Sequence, residues 1–579
     1  MTPFSDSFTQ GGQTQLHKLR MIKQVVGATL KGCLGLVLIA FAGLLYKDHT
    51  WQEFWHVLCY AKASLRVAMS FLPSDAFDTS WIFFSDGQGA YVSDFVLVHD
   101  SDYSQPVFTI LFSLLKKFCQ SPMIAFIGGI GVSWFWVRMG KKRQEKTILS
   151  GFELTDPKTL KKRIKKSGAG AYTIGGIPLP KDAEFQHTMV TGTTGSGKSN
   201  MIHHLLKQIR SRGDQAIVVD TTGGMHSRFY NPYTDILLNP LEDRSALWNL
   251  WDEMAHETLI DEIAEAMIPD NRSGDSFWTQ SARQVFRESV RFINTQERKS
   301  YQELTQMLLT MPLKELVRRL EGTAAAALLD STIDKTALSI RASLVPHLRV
   351  FDVLKDTDGG FSLLRFMTKP TKEWLFLSCQ TDQREFIKPL FSAWLSILIK
   401  GLMRRPEGYH HRTWIIIDEL VSLNRLPSLL TGLAEVRKYG GCFVLGFQDL
   451  SQLDETYGFS STKTLSNLTG TKVLFRCVDA DVATRVSRYL GEQEKQEAQE
   501  SISFGAHQMR DGVNLASQRQ TKPVVSASDI MMLKDLEAFI KVPGGFPVTK
   551  IAFDYLPPDR KQPAFVTPLT VHKKERKKS

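Results

Sequence analysis

The sequence of 579 residues contains few cysteines and no cysteine motif. Its six cysteines are scattered, and none belongs to a C-x-x-C pair. They are Cys33, Cys59, Cys119, Cys379, Cys442 and Cys477. A structural zinc site needs clustered thiolates or histidines, and a disulfide framework needs regularly paired cysteines. We therefore expect neither a zinc site nor a disulfide framework.

The chain also lacks a large excess of charge of one sign. It has 71 Lys and Arg against 60 Asp and Glu, a formal net charge of +11. This excess allows contact with nucleic acid or anionic lipid but requires neither. With 43% hydrophobic and 23% charged residues, the composition excludes a disordered chain. The length is enough for two or three domains with their own cores.

Two long apolar runs lie near the N-terminus. The first extends from about Val25 to Tyr46 with only Lys31 inside it, and the second, residues 118–137, carries no charge. Each can cross a bilayer core of roughly 30 Å as a helix. The flanking basic residues are Lys18, Arg20 and Lys23 before the first run and Arg138, Lys141, Lys142, Arg143 and Lys146 after the second. The positive-inside rule therefore predicts cytoplasmic termini. A cleaved signal peptide is the alternative for the first run, but no A-x-A-like site follows it.

The segment between the two runs, residues 47–117, predicts a small periplasmic element. It mixes aromatic and acidic side chains. The aromatic ones are Trp51, Phe54, Trp55, Trp81, Phe83 and Phe84, and the acidic ones include Asp75, Asp78, Asp86, Asp94 and Asp100. A docking surface for envelope partners and a small core on the membrane face both fit this pattern. A basic run at residues 158–166 follows the anchor, and it fits either a solvated or lipid-facing linker or a guide for nucleic acid.

One glycine-rich segment fits the G-x-x-x-x-G-K-[ST] pattern of phosphate-binding loops. It consists of Gly192, Thr193, Thr194, Gly195, Ser196, Gly197, Lys198 and Ser199. The residues before it predict a buried strand, and those after it predict a helix that ends before Gly213. In such a loop the main-chain N–H groups surround phosphate oxygens, Lys198 reaches the β- and γ-phosphates, and Ser199 binds Mg²⁺. We therefore predict an NTP site, with an ordinary glycine-rich turn as the alternative.

A short apolar run later in the chain ends in two acidic residues. Residues 413–417 predict a strand that is buried on both faces, as in a parallel sheet, and Asp418 and Glu419 follow at its carboxyl end. We expect Asp418 to join the Mg²⁺ shell and Glu419 to polarise the attacking water as a general base. The alternative is a buried strand that merely ends in acidic surface residues.

Further strand patterns alternate with helical stretches. They lie at residues 215–220, 374–379, 442–447, 471–477 and 538–542. This alternation predicts a doubly wound α/β nucleotide domain made of residues 147–250 and 367–579. Residues 251–366 instead repeat apolar side chains every three to four positions, which predicts an inserted all-α domain. Residues 1–146 would form the transmembrane anchor.

Two polar segments of the nucleotide domain predict no regular structure. Residues 492–521 are rich in Gln and Glu and are expected to form a long loop. The basic tail at residues 573–578 is expected to be disordered.

These features together resemble the type IV secretion coupling proteins of the TraD type. The resemblance rests on the two apolar spans, the phosphate loop, the all-α insertion and three further stretches. These stretches are residues 220–224, 239–245 and 414–420. Residues 437–441 and 446–453 match the family closely, whereas residues 174–180 match only loosely. The resemblance extends over nearly the whole chain.

The resemblance implies a RecA/FtsK-like ATPase that forms a homo-hexameric ring at the bacterial inner membrane. Such a motor uses ATP and Mg²⁺ to pass a relaxase-bound single DNA strand into a type IV secretion channel. The resemblance also implies that Gln448 senses the γ-phosphate and that Arg437 is an arginine finger for the neighbouring subunit. A guanidinium would stabilise the charge on the transferring phosphoryl group. For Arg437, a helix-end cation that binds carbonyl groups before Gly440 is the alternative.

The sequence departs from the family pattern in two places. Gly224 and Met225 follow Asp220 where an acidic residue is common in relatives. A basic tail also stands where longer members carry an acidic extension, so the route of substrate recruitment stays open. Two other functions fit the sequence. One is a coupling ATPase that recruits only protein substrates, and the other is a membrane scaffold whose assembly is controlled by nucleotide.

Overall fold

The structure is a computed structural model that describes most of the chain in two compact units. The described residues are 3–69, 78–83, 88–144, 147–254, 256–270, 275–329, 334–357, 359–369, 371–408, 411–503 and 512–567. The first unit ends at Lys146, and the second begins at Thr147. The basic tail expected to be disordered lies outside the described residues.

The first unit is built on two long helices. Its helices are α1 (Pro3–Asp48), α2 (Trp51–Met69), α3 (Asp94–His99) and α4 (Ser101–Gln144), and its strands are β1 (Thr79–Phe83) and β2 (Gly89–Ser93). Within the described residues, two stretches are long and apolar enough to cross a membrane, Ile22–Asp48 and Ser101–Met139. Helix α4 begins well before the predicted span of residues 118–137, so the end of the expected outer loop is helical.

Close packing joins α1 to α4. A side chain at Gly129 would approach the Sγ atom of Cys33 to 3.0 Å, and one at Gly128 would approach Leu36 to 3.2 Å. The rings of Phe41 and Phe118 meet edge to face with their centroids 5.8 Å apart. Small residues at these positions therefore allow the two apolar helices to pack closely.

The segment between the spans has a small core of its own. Its buried apolar residues are Cys59, Ala63, Ile82 and Leu97. The buried carboxylate of Asp94 accepts hydrogen bonds from Ser80 Oγ at 2.8 Å and from Arg66 Nη1 at 3.3 Å. Some side chains remain on the surface, among them Trp51, which is 78% exposed. Asp75, Phe84 and Asp86 lie outside the described residues.

The second unit contains a ten-stranded sheet and two smaller sheets. Its strands are β3 (Thr147–Gly151), β4 (Leu154–Thr155), β5 (Ala169–Ile174), β6 (Ile177–Pro180), β7 (Thr188–Thr191), β8 (Gln215–Asp220), β9 (Ile236–Leu238), β10 (Trp374–Ser378), β11 (Thr413–Ile417), β12 (Gly441–Phe447), β13 (Thr471–Leu474), β14 (Glu492–Ser503), β15 (Gly512–Pro523), β16 (Glu537–Lys541) and β17 (Val548–Ala552). The large sheet has the order β4-β17-β16-β13-β7-β12-β11-β8-β10-β9.

The large sheet is parallel over seven neighbouring strands, from β13 to β9. Strand β16 pairs antiparallel with both β13 and β17 at the other side. The central strands are buried along their whole length, which explains their continuous apolar sequences. This is the predicted doubly wound α/β nucleotide domain, and the fold class is confirmed.

The described part of the second unit also contains the following α-helices, some of which pack on the two faces of the large sheet. They are α5 (Pro157–Ser167), α6 (Lys198–Arg212), α7 (His226–Phe229), α8 (Leu250–Glu253), α9 (Thr258–Met267), α10 (Ser276–Asn294), α11 (Tyr301–Thr305), α12 (Leu313–Arg319), α13 (Ala324–Leu328), α14 (Asp334–Leu348), α15 (Leu363–Thr368), α16 (Arg384–Leu402), α17 (Leu429–Glu435), α18 (Leu450–Tyr457), α19 (Phe459–Leu468), α20 (Ala480–Leu490) and α21 (Ala527–Met531). The elements from α8 to α15 are all helical, as the three-to-four-residue repeat predicts.

The prediction of a long loop was wrong. Residues 492–503 and 512–521 lie in strands, because β14 and β15 pair antiparallel in an unbroken ladder from Glu492 to Ser503. Strand β3 extends this hairpin to a three-stranded sheet. The basic run forms helix α5, which buries Leu160 and Ile164, is capped by the side chain of Asp156 and leaves its basic side chains exposed. Its two predicted roles stay predictions.

Candidate functional site

The phosphate loop lies between β7 and α6, at the carboxyl edge of the large sheet. The N–H of Thr193 donates to the carbonyl of Arg476 at 2.9 Å, and the N–H of Leu536 donates to the carbonyl of Ser196 at 2.9 Å. Gly192 has φ +153°, and a side chain there would approach Phe475 to 2.5 Å. These contacts hold the loop against neighbouring segments, and only glycine fits at that approach.

The side chain of Lys198 folds back over the loop. Its Nζ atom donates hydrogen bonds to the carbonyl of Gly192 at 2.5 Å and to that of Thr193 at 3.2 Å. Burial lowers the pKa of the Lys198 ammonium, while the carboxylates of Glu419 and Asp418 act in the opposite direction. Two neutral carbonyls are therefore the hydrogen-bond acceptors of this lysine inside the loop.

Asp418 faces the phosphate loop from the end of β11. Its Oδ2 atom accepts a hydrogen bond from Ser199 Oγ at 3.0 Å. Burial raises the pKa of the Asp418 carboxyl, and the bond from Ser199 partly opposes this. Among the described residues, its buried Oδ1 atom has no hydrogen-bond partner. The predicted pair of Mg²⁺ ligands thus lies in direct contact.

Glu419 and Gln448 complete the same cluster. Burial raises the pKa of Glu419 to about 7, and Gln448 and Lys198 counteract the rise. The Oε1 atom of Gln448 accepts a hydrogen bond from Thr194 Oγ1 at 2.7 Å. In the part of the chain that the structure describes, the buried Oε1 atom of Glu419 has no partner. Gln448 thereby links the phosphate loop to the acidic side of the cluster.

This donor set fits a nucleotide with Mg²⁺. Two buried carboxylate oxygens without partners lie beside a hydroxyl, and oxygen atoms are the ligands that Mg²⁺ prefers. Helix α6 is 15 residues long and begins at Lys198, so its N-terminal N–H groups favour an anion at the loop. Unpaired buried polar atoms are costly, and a bound ligand would satisfy them.

Arg437 is not brought to this cluster within the chain. It lies in the short helical turn Val436–Tyr439, which precedes Gly440 and β12 and therefore lies at the amino edge of the sheet. Its side chain is exposed and has no hydrogen bond or ion pair with the described residues. The phosphate loop of the same chain is at the opposite edge.

The sequence did not reveal three contacts that shape the site. The main chain of Arg476 holds the loop, and the hydroxyl of Thr194 binds Gln448. Asp220, at the end of β8, is the neighbour of Asp418, because Val219 pairs with Ile417. Sequence periodicity carried no signal for these contacts, since they depend on the order of the strands.

Comparison with known proteins identifies the family. The profile described as "Type IV secretion-system coupling protein DNA-binding domain" matches residues 171–554. Coupling protein TraD of Escherichia coli (strain K12) is 32% identical over 574 residues, which are 96% of this chain and 79% of that protein. Protein VirD4 of Rhizobium rhizogenes is 26% identical over 194 residues, 33% of this chain and 28% of that protein.

Solved structures of the conjugative coupling protein TrwB have the same fold. An unbound form named TrwBdeltaN70 is 29% identical with a TM-score of 0.65, and the match covers 73% of this chain and 97% of that one. TrwB in complex with the non-hydrolysable ATP analogue ADPNP gives the same identity and TM-score and is covered to 98%. TrwB in complex with ADP and Mg²⁺ is 28% identical, again with a TM-score of 0.65 and coverage of 73% and 98%.

Proposed function

Because the chain belongs to the family of type IV secretion-system coupling proteins, we propose that it is an ATPase that couples a relaxase-bound single DNA strand to a secretion channel. It uses ATP hydrolysis to drive the transfer of this strand during conjugation. The observation that carries the proposal is the contact between Ser199 and Asp418 beside a lysine-bearing phosphate loop. The complexes of TrwB with ADPNP and with ADP and Mg²⁺ support ATP and Mg²⁺ as the ligands here.

Each residue of the cluster has a role in this proposal. Lys198 exchanges its carbonyl partners for the β- and γ-phosphates, where its charge stabilises the transferring phosphoryl group. Ser199 and Asp418 hold Mg²⁺, which neutralises charge on the phosphates when it is bound. Glu419 accepts the proton of the attacking water, and its pKa of about 7 suits a general base. Gln448 responds to the γ-phosphate from its position between Thr194 and Glu419.

Arg437 acts in the site of a neighbouring subunit. Its exposed guanidinium, which has no hydrogen bond or ion pair with the described residues, is available for such a contact. Supplying this cation across an interface makes hydrolysis depend on ring assembly. Such a contact needs an oligomer, and the family resemblance implies that it is a homo-hexamer.

The first unit anchors the ATPase in the bacterial inner membrane. Ile22–Asp48 and Ser101–Met139 contain the two spans, and both termini are cytoplasmic. Residues 251–366 form the all-α domain, and residues 147–250 with 367–579 form the nucleotide domain. The small core between the spans is the periplasmic part.

The test is ATP hydrolysis by the full chain in lipid nanodiscs, with and without single-stranded DNA. We expect Mg²⁺-dependent turnover that single-stranded DNA raises several-fold, and none above background in Lys198→Ala. An ATP turnover rate that single-stranded DNA does not change but substrate proteins raise would indicate a protein-recruiting ATPase rather than a DNA motor. An intact, nucleotide-binding chain without turnover would instead indicate the scaffold function.

A further inference from the structure

Two sequence stretches of the family pattern are given no role by the proposed function. They are the turn after β8, residues 220–226, here called the Asp220 turn, and the loop at residues 239–245. Both contact one extended segment, residues 556–566, here called the strap. The strap follows β17 and lies beyond residues 171–554, which the family profile matches. The two stretches therefore have the strap as a common contact.

The Asp220 turn is closed around the Asp220 carboxylate. Its Oδ1 atom accepts hydrogen bonds from Thr222 N at 3.1 Å, Thr222 Oγ1 at 3.0 Å and Gly223 N at 2.8 Å. Its Oδ2 atom accepts from the N–H groups of Met225 and His226, each at 2.8 Å. Five donors surround one buried carboxylate, so its charge is fully satisfied inside the turn.

The strap covers the outside of this turn. The Phe565 ring packs on Gly223, where a Cβ atom would lie 2.8 Å from the ring. Gly223 has φ +76°, so the turn needs glycine there for its backbone as well. The carbonyl of Ala564 lies 3.0 Å from Nδ1 of His226, and the N–H groups of Lys561 and Gln562 donate to the Ser227 carbonyl. These contacts with the strap thus hold the Asp220 turn in its conformation.

Both ends of the strap are tied to elements of the nucleotide domain. At its start, Leu556 N donates to the side chain of Asn200 in α6, the helix that begins at Lys198, at 2.9 Å. At its end, Val566 N donates to the Glu242 carboxylate at 2.9 Å, and the Val566 carbonyl accepts from Asp243 N at 3.0 Å. The strap therefore joins the phosphate-loop helix, the Asp220 turn and the 239–245 loop.

We propose that the strap is a positioning element of the nucleotide site, with Phe565 as its positioning residue. It keeps Asp220 enclosed by the donors of its turn, so that Asp220 adds no free carboxylate oxygen to those of Asp418 and Glu419 at this edge. The pairing of β8 with β11 places the two carboxylates side by side. If the turn opens, Asp220 becomes a second anion beside Asp418. The two carboxylates together then capture Mg²⁺ in the wrong position. The inference rests on the proposed function.

The first experiment follows hydrogen exchange in the Asp220 turn of the full chain. Phe565→Ala removes the ring from Gly223, Phe565→Leu retains an apolar side chain, and Tyr555→Ala is the matched control, because Tyr555 is 65% exposed. We expect exchange in peptides covering residues 222–226 to quicken at least about tenfold in Phe565→Ala and clearly less in Phe565→Leu. Exchange equal to that of the unaltered chain overturns the proposal.

The second experiment measures the Mg²⁺ concentration that half-saturates binding of ADPNP. We expect it to fall several-fold in Phe565→Ala, because two carboxylates attract the cation more strongly than one, while ATP turnover falls. General loosening of the site would instead raise this concentration, so a rise or no change overturns the proposal. If the unaltered chain shows no turnover, the proposed function fails, yet exchange and ADPNP binding still decide the role of the strap.

A third comparison separates the strap from the tail that follows it. A chain that stops after Thr567 keeps every strap contact, whereas one that stops after Pro558 loses Phe565 and Val566. We expect the longer chain to match the full-length protein in exchange and Mg²⁺ dependence and the shorter one to resemble Phe565→Ala. Equal behaviour of the two truncated chains would contradict the proposal.

Discussion

Some buried polar side chains at the two edges of the large sheet differ in whether their polar atoms have hydrogen-bond partners. At the amino edge, Arg405 donates to the carbonyl of Met367, to Thr413 Oγ1 at 2.7 Å and to Gln215 Oε1 at 2.8 Å. Both ring nitrogens of His187 are also bound there, to the Leu433 carbonyl at 2.8 Å and to the Phe443 N–H at 3.2 Å. Burial lowers the pKa of His187 to about 4, which keeps its ring neutral.

At the carboxyl edge, Asp418 and Glu419 each keep a buried oxygen atom without a partner among the described residues. Burial raises the pKa of both carboxyls, so their charged forms are costly there. Arg405 and His187 at the amino edge therefore stabilise the fold, whereas Asp418 and Glu419 at the other edge reduce its stability. We expect this difference where a bound ligand supplies the missing partners of the buried oxygen atoms at one edge.

Lys198→Ala gives the largest expected effect. It removes a cation from the developing phosphate charge without altering a core, so ATP turnover should fall by a factor of at least about 10²–10³. The melting temperature should stay close to that of the unaltered chain. Near-normal turnover would contradict the assignment of the loop, and this variant should be compared at equal protein concentration in nanodiscs.

Substitutions of the two carboxylates should separate Mg²⁺ binding from hydrolysis. Glu419→Gln is expected to bind Mg-ATP, to lose about 10²–10⁴-fold in turnover as a missing general base does, and to unfold at a higher temperature. Asp418→Ala should weaken Mg²⁺ binding itself. Equal nucleotide binding by both variants at limiting Mg²⁺ would show that the division of roles is wrong.

Arg405→Met tests the amino edge. Three buried acceptors lose the donor that Arg405 supplies, although Gln215 Oε1 keeps the bond from Thr413 Oγ1. The free energy of unfolding should therefore fall by about 2–4 kcal/mol, while the affinity for ADPNP stays the same. The exposed neighbour gives a matched control, since Arg404→Met should change stability by less than about 0.5 kcal/mol. Weaker ADPNP binding by folded Arg405→Met would remove the contrast between the edges.

Arg437→Ala should have the smallest effect on its own chain. If the arginine acts across a subunit interface, the variant binds ATP normally, hydrolyses it slowly and inhibits mixed rings. Mixing it with Lys198→Ala should restore some activity, because one chain supplies the finger and the other the loop. A helix-end cation would instead cost about 0.3–1 kcal/mol of stability and give no recovery at any ratio.

The sequence predicted the parts of the molecule that have a strong local pattern. Fully buried strands such as β11 leave continuous apolar runs, and the phosphate loop has a fixed spacing of glycine, lysine and serine. Asp418 and Glu419 could be predicted because they directly follow such a strand. The helical repeat of residues 251–366 was equally clear, since amphipathic helices leave a regular period.

The remaining parts depend on which distant segments of the chain pair with each other, and a local sequence pattern does not contain this information. The hairpin of β14 and β15 was missed because its first strand, rich in Gln and Glu, lacks the alternation of apolar and polar residues that marks a half-buried strand. The strap is extended and contains prolines, so its sequence has no regular repeat of apolar residues that would predict it. That Arg437 and Lys198 lie at opposite edges follows only from the direction of the strands.

The most direct test of the contrast between the edges is calorimetric titration of the full chain with ADPNP and Mg²⁺. The account predicts Mg²⁺-dependent binding by the unaltered protein and by Arg405→Met, much weaker binding by Lys198→Ala, and loss of the Mg²⁺ dependence in Asp418→Ala. Binding that is lost in Arg405→Met but retained with full Mg²⁺ dependence in Lys198→Ala and Asp418→Ala would contradict it.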